Sequence, residues 1–360
     1  MRRAVIVVLD GLRRDFVTEA YTPNLCAFAE RAERFGNHRS VFVSTTRVVS
    51  ASLATGCHPA RHELQGNAMA LVEAGRLVAH DAGRPDFLDH KRRVTGRSLG
   101  VPTVAERVAE LGGSIVFANA SPGAAYAQDP DGHGVVHHRA GSFGPGRVPL
   151  PEAGRLAITP DVEGDRAMTL RFVREALGES RPAVAVLWLG DPDRTQHASP
   201  LGSPRHLEAL READRNAGLV VEAVDRLRDA GDDVLVVLCS DHGHQTAVGV
   251  VDIEAELVEA GLKDRPGSGD VLAVANGTSA LIYVHPDRRE RIADIHDFLA
   301  SRDWADRVIA EDELAAVGQA PLHGLAFAVS MRSSEAPNDY GVPGVSLVAR
   351  SQAGKPDRLG

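Results

Sequence analysis

The sequence predicts an α/β fold: a mostly parallel central sheet with helices on both faces, joined to a small α+β cap. Three observations carry this prediction. Apolar runs recur at Ala4 to Leu9, Ser114 to Ala118, Ala183 to Leu189, Val234 to Cys239 and Ala280 to Val284, each closed by polar or glycine-rich residues, the pattern of strands buried on both faces. Stretches with apolar residues at three- and four-residue spacing separate them, and strands alternating with helices imply parallel pairing. Carboxylates follow three of the runs, at Asp10, at Asp191 with Asp193, and at Asp241, and open parallel sheets place ligands beyond the carboxyl ends of their strands.

The elements follow in order. The first strand ends at Asp10-Gly11. Thr22-Pro23-Asn24-Leu25 combines a cap residue with Pro in the first turn and opens a helix to about Arg34. A short apolar run at Val41 to Val43 leads into Ser44, Thr45 and Thr46, and Val48 to Ala54 continues as a helix closed by Thr55-Gly56. Pro102 to Glu106 opens the next helix, which ends at Gly112-Gly113 before the strand at Ser114; Asp161 to Ala176 and Pro204 to Leu227 are further amphipathic helices. Residues 68–98 and 123–152 are polar, weakly periodic and punctuated by Gly and Pro, so they are expected to be surface excursions. From His244 to about Ser330 the signals are a strand at Ala280 to Val284, a helix at Arg288 to Ala300, and strands at Arg307 to Ala310 and Leu325 to Met331. The expected division is therefore a core of residues 1–244 and 331–360 with a cap at 245–330.

Composition narrows the function classes. In 360 residues, 40 Lys and Arg stand against 49 Asp and Glu, a net charge of −9, with 43% hydrophobic and 25% charged residues. This is a globular chain rather than a disordered one, and its acidic balance argues against a nucleic-acid polymer as partner. Cys26, Cys57 and Cys239 are too few and scattered for a disulfide framework or a thiolate zinc site. The apolar run at the N-terminus is too short for a signal peptide and ends in Asp10, and no stretch reaches the length of a membrane span. A cytoplasmic protein with no membrane partner, acting on a small molecule, is expected.

The chemistry gathers in few places. Asp193 and His197 lie four residues apart, a spacing that puts both on one face of a helical turn and lets them share a metal. Asp241-His242 follows a strand; in an extended segment the two side chains diverge and could serve two neighbouring ions. Oxygen and nitrogen donors without cysteine suit zinc or manganese, and paired ions suit phosphoryl chemistry. Ser44, Thr45 and Thr46 end an apolar run at a helix start, where a hydroxyl gains from the positive end of the dipole and also serves as an ordinary N-cap.

Taken together, Asp10-Gly11, Thr22-Pro23-Asn24-Leu25, Thr46 with Ala54-Thr55-Gly56, His62 with Gly66-Asn67, Asp193 with His197, and Ser240-Asp241-His242-Gly243 resemble the alkaline phosphatase superfamily. Within it the chain is similar to the type I phosphodiesterase and nucleotide pyrophosphatase branch, which includes phosphonoacetate hydrolases. The resemblance runs from residue 1 to about 245. It implies an alkaline phosphatase-like fold and two divalent metal ions, zinc first and manganese as the alternative. Asp10, Thr46, Asp241 and His242 would hold one ion, and Asp193 and His197 would supply two of three protein ligands to the other. Counting back ten from Gly56 selects Thr46 as nucleophile, with Thr45 as the fallback.

Two departures stand out. Val49 occupies the position, three past the nucleophile, where the branch usually carries Asn, so Arg47 or a backbone amide is expected to stabilise the phosphoryl oxygens. The last metal-ligand His of the family falls in a His-Gly motif; the candidates are His323 in His323-Gly324 or a residue past Gly360. The resemblance implies a hydrolase of phosphate diesters, pyrophosphates or related phosphonates. The alternatives are a phosphonoacetate-type C–P hydrolase, with Arg47, Lys91 or Arg92 holding the carboxylate, and a catalytically impaired binding protein. His58, His62, His133, His137, His138 and His244 read first as packing, surface or supporting residues.

Overall fold

The computed structural model describes residues 2–351, and the chain forms two compact units. The first comprises the chain up to Ser40, Val49–Gly56 and Val101–His244; the second comprises Val41–Val48, Cys57–Gly100 and the chain from Gln245. No helix among the described residues is long and apolar enough to cross a membrane.

In the first unit the sheet has five strands in the order Val135–His138, Ser114–Ala118, Val184–Leu189, Arg3–Leu9, Val234–Cys239. Every pairing is parallel. The three central-to-edge strands run in step: Leu9 lies opposite Leu189, and Val8 lies opposite both Trp188 and Cys239. Their carboxyl ends therefore finish side by side, and the acidic residues that follow emerge at one end of the sheet.

The longest helix, Pro204–Asp229, starts at Ser203, whose hydroxyl accepts the His206 N–H, with Pro at the first turn. Leu210, Ala213, Ala217, Val220 and Val224 form its buried stripe at three- and four-residue spacing. Asp214 lies on the same buried side. Thr22 makes no side-chain cap for the helix Pro23–Glu30; instead Asp214 accepts the Asn24 and Leu25 backbone N–H groups at 3.1 and 2.8 Å and the Asn24 amide at 2.7 Å. Gly218, one turn on, makes room, since a Cβ there would meet Asn24 Cγ at 2.8 Å.

Two segments expected to be surface excursions are ordered structure. Residues 68–98 form the hairpin Ala68–Glu73 and Arg76–Asp81 and the helix Phe87–Thr95. The turn between the strands puts Ala74 and Gly75 at φ +46° and +74°, the backbone of a tight hairpin turn, but with Ala where Asn or Asp would have marked it. Residues 123–152 include the buried sheet strand Val135–His138, with Phe117 stacked on His137 at 4.2 Å between ring centroids. Burial lowers both His137 and His138 to about 4.

The second unit holds an antiparallel sheet ordered Ala305–Ala310, Leu325–Met331, Ser279–Val284, Val271–Ala275. Its core includes Leu257, Ile282, Ile295, Leu299, Phe327 and Val329. The segment after residue 330, expected with residues 1–244, instead pairs here. Pro343–Ala349 runs parallel to Thr246–Val251 and antiparallel to Ser333–Pro337, because Val345, Leu347 and their neighbours complete a sheet within the second unit. Residues 352–360 of that expected segment lie outside the described residues.

Two outcomes follow from this packing. Asp214→Ala strips three donors of one buried acceptor and should cost about 2–4 kcal/mol in denaturant unfolding; a loss under about 0.5 kcal/mol would show the cap to be unimportant. His137 is held neutral when folded, so its contribution is complete above the unfolded value near 6.5 and is lost as pH falls toward about 4. Unfolding free energy measured from pH 7.5 to 4.5 should fall, and His137→Leu should flatten that slope; an unchanged slope would refute the assignment.

Candidate metal centre

Asp10 directly follows the central strand and is buried, with Trp188 Nε1 donating to its Oδ2 at 3.0 Å. Burial, then the charges of Asp241 and Asp193, push its carboxyl well above the ordinary range, and the Trp188 hydrogen bond only partly offsets this. Gly11 comes next at φ +72° and donates its N–H to Asp241 Oδ1 at 3.0 Å. A Cβ at this position would lie 2.8 Å from Gln196 Oε1 and 2.9 Å from the Asp193 Cβ. Glycine is thus demanded twice, by conformation and by the close approach of Asp193.

Asp193 opens the short helix Asp193–Gln196, and its N–H donates to the Asp10 carbonyl at 2.9 Å. His197 closes this turn through a 3.0 Å bond to the Asp193 carbonyl, which brings its Nε2 to 3.4 Å from Asp193 Oδ1. His244 Nδ1 lies 3.8 Å from the same oxygen, and the His197 and His244 rings meet edge to face at 5.0 Å. Arg13 holds that loop by donating to the His244 carbonyl at 3.1 Å. Burial raises the Asp193 carboxyl, but the His244, His197 and His242 imidazoles outweigh it and leave the group below its ordinary range.

Asp241 accepts through Oδ1 from Gly11 and from the His242 N–H at 2.9 Å, while Ser40 Oγ donates to its carbonyl at 2.6 Å. His242 Nδ1 lies 2.7 Å from the Gly243 carbonyl. A carbonyl only accepts, so Nδ1 carries a proton, and Nε2 faces Asp10 Oδ1 at 3.4 Å and Asp241 Oδ2 at 3.3 Å. An imidazole nitrogen and two carboxylate oxygens this close together need a proton or a cation among them. Asp193 Oδ1 and Asp241 Oδ2 are also buried with no hydrogen-bond partner among the described residues.

Two ligand-like sets result, Asp193 with His197 and His244, and Asp10 with Asp193 and His242, each with its donor atoms within 4.8 Å of one another. Carboxylate and imidazole donors in these numbers fit divalent transition metals. The structure thus brings together Asp10, Asp193, His197, Asp241 and His242, and it adds His244, which reads first in the sequence as a packing, surface or supporting residue. The available signal was its place two residues past His242 in an irregular loop. Asp191, also read from the sequence, is turned inward: its Oδ1 accepts from the Thr195 N–H at 3.0 Å and hydroxyl at 2.6 Å.

Asp165 supports this end of the sheet. It accepts from the backbone of Gly190 and Asp191 and from Asn119 Nδ2 at 2.8 Å, and burial, then the Asp191 charge, raise it to about 6.

Thr46 and Arg47 belong to the second unit's segment Val41–Val48. Thr46 is buried and begins the ten-residue helix Thr46–Thr55. The Arg47 N–H donates to Asn67 Oδ1 at 2.9 Å, and the Arg47 guanidinium packs on Gly83, where a Cβ would lie 2.4 Å from Nη2. Gln319 Nε2 bonds the carbonyls of Phe42 and Gln65 at 2.9 and 3.0 Å, tying the two ends of this region together. His323 sits in a tight turn at φ +55° in the second unit. Burial and then the Lys91 charge lower it, and it is in neither of the two ligand sets.

The fold is shared with solved enzymes. Phosphonoacetate hydrolase from Sinorhizobium meliloti 1021, in complex with phosphonoformate, superposes with a TM-score of 0.71 at 18% identity, over 99% of this chain and 85% of that one. Murine ectonucleotide pyrophosphatase/phosphodiesterase 5, in an inactive form with AMP, gives 0.64 at 13% identity over 99% and 82%. Human ectonucleotide pyrophosphatase/phosphodiesterase family member 7 is 23% identical over 244 residues, 68% of this chain and 48% of that protein, so the match spans about half the length of the curated relative. The profile of type I phosphodiesterases and nucleotide pyrophosphatases matches residues 4–350, and the chain belongs to that family.

Proposed function

We propose that this chain is a metal-dependent hydrolase of small phosphate diesters, pyrophosphates or related phosphonates, with Thr46 as nucleophile. The observation that carries the reading is the convergence of His242 Nε2 on Asp10 and Asp241 beside an Asp193 carboxylate common to both ligand sets. Asp193, His197 and His244 would hold one zinc ion, and Asp10, Asp241 and His242, with Thr46, a second. Such ions when bound act as Lewis acids, acidifying a hydroxyl and neutralising phosphoryl oxygens.

The chain's own residues do the rest. Thr46 Oγ1 attacks phosphorus, the ester or pyrophosphate oxygen leaves, and water then releases the phosphoryl group from the threonine. Its place at the start of a ten-residue helix favours the negative charge that gathers there. Asn67 accepts from Arg47 through Oδ1, so its NH2 group is the one that would donate to a phosphoryl oxygen in place of the Asn absent at Val49. Arg47 supplies the positive charge.

The C–P hydrolase reading loses two of its cations. Lys91 is fully buried against Glu63 and the Arg97 carbonyl, and Arg92 donates to Ser98 Oγ. Neither is positioned as a carboxylate receptor in the way a substrate cation would need.

Two experiments test the reading. Thr46→Ala should reduce turnover of bis-aryl phosphates by roughly a thousandfold or more while leaving bound metal unchanged, whereas Thr45→Ala should keep most of the activity. The reverse order would move the nucleophile to Thr45, and no turnover in the zinc- or manganese-loaded wild type would favour the binding-protein alternative. His244→Ala should weaken metal retention against a chelator by about tenfold or more, and His323→Ala should not; loss of metal in the His323 variant alone would return the third ligand to that residue.

A further inference from the structure

We infer that the second unit carries an additional transition-metal site, formed by Glu73, His80 and His90, independent of the hydrolytic reading. Glu73 ends the first strand of the hairpin Ala68–Glu73 and Arg76–Asp81, His80 lies in the second, and His90 is on the helix Phe87–Thr95. Glu73 Oε1 stands 2.5 Å from His80 Nε2 and 2.8 Å from His90 Nε2, and the two rings lie 4.7 Å apart with their planes 39° from parallel. Three donor atoms from three elements thus converge within 4.8 Å of one another.

The donor set is two imidazoles and one carboxylate, which matches a zinc site with a fourth position left for water. All three side chains are partly exposed, at 26%, 21% and 30%, so an ion exchanges with solvent without opening the fold. Tetrahedral bonds of about 2.0–2.1 Å would set the donors roughly 3.3 Å apart. The rings then need to withdraw by less than about 1 Å, a movement that rotation of exposed imidazoles supplies. Each ring would also exchange its Nε2 proton for one on Nδ1, the tautomer a ligating imidazole requires. The chemistry favours zinc over magnesium or calcium, which take oxygen donors almost exclusively. The bound ion would clamp the hairpin to the helix that follows it.

The test uses the full chain, stripped with chelator and reloaded with zinc. Wild-type protein should hold one more equivalent of zinc than the His80→Ala/His90→Ala double variant, and zinc should raise its melting temperature further than the variant's. A chain carrying Asp193→Ala and His244→Ala should still take up the Glu73-dependent equivalent, which separates this site from the one around Asp193. Cobalt(II) substitution in that background should give a tetrahedral absorption spectrum that Glu73→Gln abolishes. The Glu73→Gln variant keeps the size and a hydrogen-bonding oxygen, so it stays informative where the double variant folds poorly; it should bind zinc at least about tenfold more weakly. Equal zinc stoichiometry and affinity in the wild type and in Glu73→Gln would overturn the inference and leave the three residues as a hydrogen-bonded cluster.

Discussion

Bringing Asp10, Asp193 and Asp241 together out of water is the constraint around which the first unit is arranged. Burial penalises the charged forms of Asp10 and Asp193, and at Asp10 the charges of Asp241 and Asp193 add to the penalty. The backbone answers part of this demand. Gly11 donates to Asp241, Asp193 donates to the Asp10 carbonyl, and His242 donates to its own neighbour's carboxylate. These bonds exist only because three parallel strands end in step, so that loops distant in sequence meet at one sheet edge. A one-residue slip between Arg3–Leu9 and either neighbour would direct the acidic residues to different depths. Register is therefore as much a requirement of the site as the residues themselves.

A second tier of buried polar groups keeps those loops in place. Trp188, paired with Val8 across the sheet, reaches Asp10 from the next strand. Asp165 receives the Gly190 and Asp191 amides, and Asp191 in turn caps the turn leading to Thr195. The order of these contacts matters: helix to strand end, strand end to turn, turn to Asp193. Each member has its hydrogen bonds made within the protein, which is how buried polar networks stiffen rather than weaken a structure. Two buried atoms without a hydrogen-bond partner among the described residues, Asp193 Oδ1 and Asp241 Oδ2, lie where the proposed ions would sit.

Much of this was legible in the sequence because it depends on strong local signals. Continuous apolar runs gave away four of the five parallel strands, and the carboxylates just beyond three of them gave away the shared end of the sheet. The hairpin at residues 68–81 was hidden because its left-handed turn uses Ala74 before Gly75 and its strands carry polar residues at several positions. His137 and His138 looked solvent-facing for a similar reason: two histidines in a glycine-rich stretch give no apolar signal, although Phe117 and the edge of the sheet bury them. His244 reads in the sequence as a packing, surface or supporting residue because no helical or strand periodicity relates it to Asp193. Only the folded loop after Val234–Cys239, held by Arg13, turns it back.

His244 also changes how the proposed ligands are distributed. Asp10, Asp193, His197, Asp241, His242 and His244 all belong to the first unit. If the third imidazole came from His323, the first ion would draw on a segment near the far end of the chain, and its affinity would depend on long-range closure. With His244, three of the proposed ligands, Asp241, His242 and His244, come from four consecutive residues held by bonds to Gly11, Ser40 and Arg13, so fewer degrees of freedom are frozen when an ion binds. The same economy acts at Asn67, which is bonded to the residue beside Thr46 rather than standing three positions away on the same helix. Under the proposed function, His244 and Asn67 would stand in for the two residues of the family pattern that this chain lacks, and each is tied by a hydrogen bond to an arginine, the His244 carbonyl to the Arg13 guanidinium and the Asn67 Oδ1 to the Arg47 N–H.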